Sequence, residues 1–264
     1  MENPISKDEI FDLFKMEEAV CKISFGRYQE RKGNGTGFFC EIENDNFPMK
    51  YCLFTHANNL DKSYIEYNKI IRIEYYKGDK YIKKEIIIDK NRKVYINEEL
   101  SYTCIEIFKS DGIKKYFKIE PLAFINKNDD YLIDNNVFTL QYPEDKNLSF
   151  SCGKILNIED QEIIYNASTV KGSSGSPIIR RSKNNYYIIG IHIGHSKKNK
   201  NKLGILFKYI FQDILEKNKI NYISVPKNNE KDIIALNEGD HINSPKFPHI
   251  YVGLIFDVSK EDLK

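Results

Sequence analysis

Apolar residues along most of this chain come in short runs that alternate with polar ones, the two-residue period of a half-buried strand. The exception is the start. Ser6 with Asp8 and Glu9 reads as a helix opening with acidic residues in its first turn, and Ile10, Phe11, Leu13 and Phe14 follow at helical spacing. This predicts a helix within residues 1–19, its apolar face packed on the body of the protein.

From residue 20 the pattern turns to strands. Val20–Phe25, Gly37–Glu43, Lys50–Thr55, Ile70–Tyr76, Tyr81–Ile88, Val94–Ile96 and Tyr102–Phe108 are each bounded by turn residues. Lys77-Gly78-Asp79-Lys80 predicts a hairpin. These strands suffice for a first small barrel over residues 20–108. A second set comprises Val137–Gln141, Leu148–Ile158, Glu162–Asn166, Ser176–Arg180, Tyr186–Gly194 and Leu203–Phe207. Ile210, Phe211, Ile214 and Leu215 then share one face of a helix. The division expected is a second barrel with a closing helix over 136–217, joined to the first by a polar link over 109–135. Residues 218–264 read as a polar tail ending in a strand, His249–Val258.

Composition narrows the picture. Of 264 residues 41% are hydrophobic, with 18 Tyr and 16 Phe, enough for a sizeable core. A net charge of +2 is too balanced to argue for nucleic acid. Five cysteines (Cys21, Cys40, Cys52, Cys104, Cys152) without a Cys-x-x-Cys spacing support neither a disulfide framework nor a zinc site. All but Cys21 lie in apolar strand-like runs, where a free thiol packs as a small hydrophobe. No apolar run approaches the roughly 20 residues of a membrane span. The first residues lack a basic then apolar leader. The expectation is a cytoplasmic protein with no cofactor, no metal, no nucleic-acid partner and no membrane contact. Nothing in the sequence sets the oligomeric state.

The chemistry concentrates in Ser168 to Pro177, Ser-Thr-Val-Lys-Gly-Ser-Ser-Gly-Ser-Pro. Glycine-rich turns let successive amides converge, so the N–H groups of Gly172 and Ser174 can face an oxyanion formed by attack of Ser174. The α/β-hydrolase elbow Gly-x-Ser-x-Gly does not fit, since Ser176 holds its last position. There is also no P-loop, dinucleotide fingerprint or His-Glu-x-x-His.

Gly172-Ser173-Ser174-Gly175-Ser176-Pro177 resembles the nucleophile loop of chymotrypsin-like (trypsin-like) serine peptidases, in the form common among bacterial and intracellular members. Gly35-Thr36-Gly37-Phe38 is similar to their Gly-Ser/Thr-Gly-Phe strand opening. The resemblance implies an all-β fold of two packed antiparallel six-stranded barrels, with a peptide or protein segment as partner in the groove between them. It also implies Ser174 as nucleophile, Gly172 in the oxyanion hole and Ser168 at the base of the specificity pocket. His192, Ile193 and Gly194 fall on the strand that pairs with substrate.

The resemblance fails at two positions. The family's histidine comes third after the threonine ending an apolar strand, and the third residue after Thr55 is Asn58. The family's aspartate position, ahead of Tyr102-Thr103-Cys104-Ile105, is Ser101. An amide takes no proton at useful pH. Without an imidazolium to stabilise, a buried aspartate would be a burden, so the two changes are consistent with each other. Ser173 stands where secreted members carry the aspartate that pairs with a freed N-terminus, so activation by cleavage is not expected. The reading is a homologue without peptidase activity, binding peptides or regulating. One alternative is an active endopeptidase with a relocated base such as His56, oriented by Glu98 or Glu99. Another is a non-catalytic assembly domain.

Overall fold

A computed structural model of the chain describes residues 12–25, 33–120, 129–144, 147–182, 185–196 and 200–218. The predicted tail strand and most of the N-terminal helix lie outside them. Residues 12–14 are helical and bury Leu13.

Among the described residues fourteen strands form one continuous sheet, wound into two barrels. The first seven are β1 (Val20–Phe25), β2 (Gly33–Glu41), β3 (Tyr51–His56), β4 (Ile70–Lys77), β5 (Lys80–Ile87), β6 (Val94–Asn97) and β7 (Tyr102–Glu106). They are ordered β5-β4-β1-β2-β3-β7-β6. The short β6 forms at the expected Val94–Ile96 run. Among the described residues no ladder joins β5 to β6, and a side chain spans that seam instead. Arg92 donates from Nε to the Ile87 carbonyl and from Nη1 to the Glu106 carbonyl, at 2.7 and 2.6 Å. It also holds the buried Asp111 carboxylate through both Nη atoms, at 2.7 and 3.0 Å.

The second barrel comprises β9 (Asn136–Gln141), β10 (Ser149–Glu159), β11 (Glu162–Tyr165), β12 (Pro177–Ser182), β13 (Asn185–His195) and β14 (Lys202–Leu206). It closes fully in the order β12-β9-β10-β11-β14-β13, with β13 pairing back on β12. A three-residue strand in the predicted link, β8 (Phe117–Ile119), pairs parallel with both β2 and β13 and fuses the barrels into one sheet.

The strand pattern explains the packing. On β2, Phe39 faces the interior of the first barrel while Phe38 faces the opposite side, so both sides of the strand are buried. Three apolar clusters result: one inside each barrel, and one between them containing Phe38, Phe54, Phe117, Phe138 and Ile191. The predicted closing helix runs over Phe207–Lys217 and inserts Phe207, Ile210, Phe211 and Ile214 into that middle cluster. Burying each of these side chains stabilises the docking by about 1.5–3 kcal/mol. A shorter helix, Lys62–Asn68, follows β3 and is capped by Asp61, which accepts the Tyr64 N–H at 2.7 Å.

The cysteines divide differently from the expectation. Cys21 is buried with Cys40, Cys52 and Cys104, whereas Cys152 is exposed. Cys152 sits opposite Phe138 in the β9–β10 ladder. An apolar strand-like run in the sequence does not distinguish the outer face of a barrel from its interior. Among the described residues no helix is long and apolar enough to cross a membrane.

Candidate active site

The Ser168–Pro177 segment connects β11 to β12, and Gly172 and Gly175 bend it through φ of +93° and +88°. Side chains at both positions would be strained, and a Cβ on Gly175 would meet the Thr36 carbonyl at 2.2 Å and the His56 nitrogen at 2.7 Å. The nucleophile turn therefore seats directly on the first barrel.

Successive carbonyls of the turn are tied down. The Lys171 carbonyl accepts the Glu144 N–H (2.8 Å) and the Gly172 carbonyl accepts the buried Thr36 hydroxyl (2.9 Å). The Ser173 carbonyl accepts the Ser176 N–H (3.0 Å) and hydroxyl (2.6 Å). The Ser174 carbonyl accepts the Thr36 N–H (3.0 Å) and Asn59 Nδ2 (2.8 Å). In a trans peptide the C=O and the following N–H point opposite ways. Fixing the Lys171 and Ser173 carbonyls thus fixes the directions of the Gly172 and Ser174 N–H groups. Neither N–H has a partner among the described residues, and neither does the Ser174 hydroxyl. Ser173 is fully buried; its N–H donates to the Val170 carbonyl and its hydroxyl accepts the Val170 N–H. The turn is held by its own serines.

Facing it is the turn after β3. Thr55 donates to the Thr36 carbonyl (2.7 Å) and accepts Asn59 Nδ2 (2.9 Å). The Ala57 N–H donates to the Ser101 carbonyl (3.1 Å), which brings the predicted orienter position alongside the predicted base position. Asn58 is exposed, and its side-chain amide has no hydrogen bond among the described residues. Ser101 is left-handed, φ +54°, with its hydroxyl directed at the Glu98 carbonyl.

His56 is buried. Nδ1 accepts the Asn58 N–H at 2.9 Å, so the proton of the neutral ring is on Nε2. Burial lowers its pKa to about 4, against a smaller upward pull from the Ile193 backbone.

On β13, the His192 carbonyl accepts the Gly175 N–H and its N–H donates to the Ser176 carbonyl, both at 2.9 Å. Its ring is buried, with Nδ1 at 2.7 Å from the Tyr165 hydroxyl. Burial chiefly, then the proximity of His56, lowers its pKa to about 3. A register shift between His192 and Gly194 leaves Ile193 out of the β13–β14 ladder. Gly194 (φ +151°) faces open space. Ser168 is exposed, its carbonyl accepting Gln141 Nε2 (3.0 Å) and Ser151 Oγ (2.7 Å).

The structure thus collects Asn58, Ser101, His56, Gly172, Ser174 and the His192 strand at the junction of the barrels. Thr36, Asn59, Ser173 and Ser176 complete it; the sequence places Thr36, Ser173 and Ser176 in motifs without their packing roles, and does not single out Asn59. Their signal was small hydroxyl and amide residues beside glycine turns, which resembles that of ordinary loops.

No family model matches the chain. It is 43% identical over 75 residues to a glutamyl endopeptidase of Staphylococcus epidermidis, a match covering 27% of the chain. The chain spans about a quarter of that relative's length, 26%. The structure is similar to a serine endoprotease from Yersinia pestis, with TM-score 0.58 and 13% identity, covering 82% of this chain and 69% of the other. It is also similar to the active form of the Rv3671c protease from M. tuberculosis, with TM-score 0.55 and 14% identity, covering 82% and 91%. The chain has the two-barrel fold of the chymotrypsin-like serine peptidases.

Proposed function

We propose that this chain is a peptide-binding member of that fold that does not hydrolyse peptides, acting as a regulatory or recognition module in the cytoplasm. The observation that carries the reading is a mismatch across the barrel junction. One side keeps the Gly172 and Ser174 N–H groups and a serine hydroxyl, none with a partner among the described residues. The other offers the amide of Asn58 and a buried imidazole whose Nδ1 already accepts the Asn58 N–H and whose pKa burial lowers to about 4.

Hydrolysis requires a group that takes the serine proton and returns it to the leaving amine. Asn58 does neither. For His56 to serve, its ring would have to give up the Asn58 hydrogen bond and become solvated enough to hold a proton near neutral pH. Oxyanion stabilisation and binding alone leave about 10³–10⁴-fold acceleration over water, far below a working peptidase. The endopeptidase names of the similar proteins therefore do not carry over. Binding is a separate matter, because Ile193, left out of the β13–β14 ladder, suits an extended segment pairing in β-fashion. Five free thiols suit a reducing compartment.

The test is restoration. Asn58→His combined with Ser101→Asp should confer measurable hydrolysis of peptide esters and amides on a protein that lacks it. The left-handed backbone at Ser101 tolerates aspartate better than most residues. An already active parent chain would overturn the reading. A folded but inert double variant would show that the missing groups are not what prevents catalysis.

A further inference from the structure

A peptide amide and a carboxylate make different demands on the site around Ser174. Preorganised oxyanion donors lie where negative charge will sit in a tetrahedral intermediate, not where a neutral ground-state carbonyl prefers to sit. A working peptidase creates that charge by moving a proton to its base. Where the base is an amide, no charge develops, and the donors match a ligand that is anionic from the outset. The one main-chain group of a peptide that meets this description is its C-terminal carboxylate.

The donor inventory fits. The Gly172 N–H, the Ser174 N–H, the Ser174 hydroxyl and the Asn58 amide all lack a partner among the described residues. Asn58 directly precedes Asn59, whose own amide bonds the Ser174 carbonyl at 2.8 Å, so Asn58 stands on the turn that faces the nucleophile turn. A carboxylate has two oxygens and about four lone-pair sites, enough to use all of them. One oxygen would accept the two N–H groups and the other the hydroxyl and amide. Hydrogen bonds to an ionised acceptor are roughly twice as strong as neutral ones. Lys171, on the nucleophile turn, pairs with Glu144 at 2.6 Å.

We infer that the Ser174 site is a receptor for the C-terminal carboxylate of an extended peptide lying in the inter-barrel groove. This rests on the non-hydrolytic reading above. The substrate position of a peptidase becomes a product-like binding site, closed to chains that continue past it.

The experiment uses the full chain and N-terminally fluorescein-labelled decapeptide mixtures randomised at their last four positions, each made as free acid and as C-terminal amide. Anisotropy titration should show the acids binding at least about tenfold tighter than the amides, as expected for a charge-assisted contact. Asn58→Asp, at an exposed position that does not threaten folding, should abolish the preference by setting a carboxylate against the ligand's. Equal binding of acids and amides would overturn the inference and leave peptide binding standing. So would an acid preference untouched by Asn58→Asp, which would place recognition elsewhere. Failure of both sets to bind would overturn peptide binding itself, and shortened peptides in a mass spectrum would overturn the non-hydrolytic reading.

Discussion

Acidifying a solution of this protein from about pH 7 to about pH 4.5 should draw stability out of His56 in particular. An unfolded histidine binds its proton near pH 6.5, whereas burial lowers His56 to about 4. Between those values the unfolded chain holds more protons than the folded one, so stability falls as pH falls. Two pH units lie between 6.5 and 4.5, and each is worth about 1.4 kcal/mol, giving a loss of about 2–3 kcal/mol from this ring. His192, lowered to about 3, adds a loss of the same order, though the two rings influence each other and the sum is not simply additive. Carboxylates also titrate over this interval, and a variant separates them. Urea denaturation followed by far-ultraviolet circular dichroism at both pH values would compare the parent with His56→Asn. The variant should be less stable near neutral pH, because it loses a buried ring, and should lose about 2 kcal/mol less than the parent on acidification. Equal losses would refute the claim that His56 is held neutral by burial. They would also reopen its candidacy as a base.

Three further outcomes follow from the same contacts. Gly175→Ala would put a Cβ 2.2 Å from the Thr36 carbonyl at φ +88°, so thermal denaturation should show a drop in stability well beyond the about 1 kcal/mol typical of point changes. An unchanged midpoint would mean the two turns are not in contact. Asp111→Ala strands the buried Arg92 guanidinium and should lower unfolding free energy by about 3–5 kcal/mol in urea; a loss below about 1 would deny that Arg92 seals the first barrel. Tyr165→Phe removes the hydroxyl beside His192 Nδ1 and should destabilise by about 1–3 kcal/mol, with no change contradicting a buried hydrogen bond there.

Much of the fold could be read from two-residue periodicity. β1 runs Val20–Phe25 as expected, and the Lys77–Lys80 hairpin forms with those two residues paired. Elements too short to show a period escaped. The helix Lys62–Asn68 spans under two turns, and its one clear mark is the capping Asp61. β8 is three residues inside a polar stretch, and its strand character comes from two neighbours distant in sequence. At the site, spacing orders Asn58, Ser101 and Ser174 along the chain, and the structure joins their neighbourhoods through the Ala57 N–H on the Ser101 carbonyl and the Asn59 amide on the Ser174 carbonyl. The packing of the turn was not legible. Whether His56 is a base or a buried strut depends on its burial and on the Asn58 N–H that its Nδ1 accepts, and no local pattern announces either. Likewise Thr36 ties the nucleophile turn to the first barrel through partners more than a hundred positions away, Gly172 and Tyr142.

The central claim is that Ser174 sits in a formed oxyanion-type turn with no group to activate it. A fluorophosphonate probe, which reacts only with activated serines, tests this on the unmodified chain. The account predicts no labelling of the parent near neutral pH, while the Asn58→His, Ser101→Asp variant labels at Ser174 as confirmed by peptide mass mapping. Stoichiometric labelling of Ser174 in the parent, abolished by His56→Ala, would contradict it.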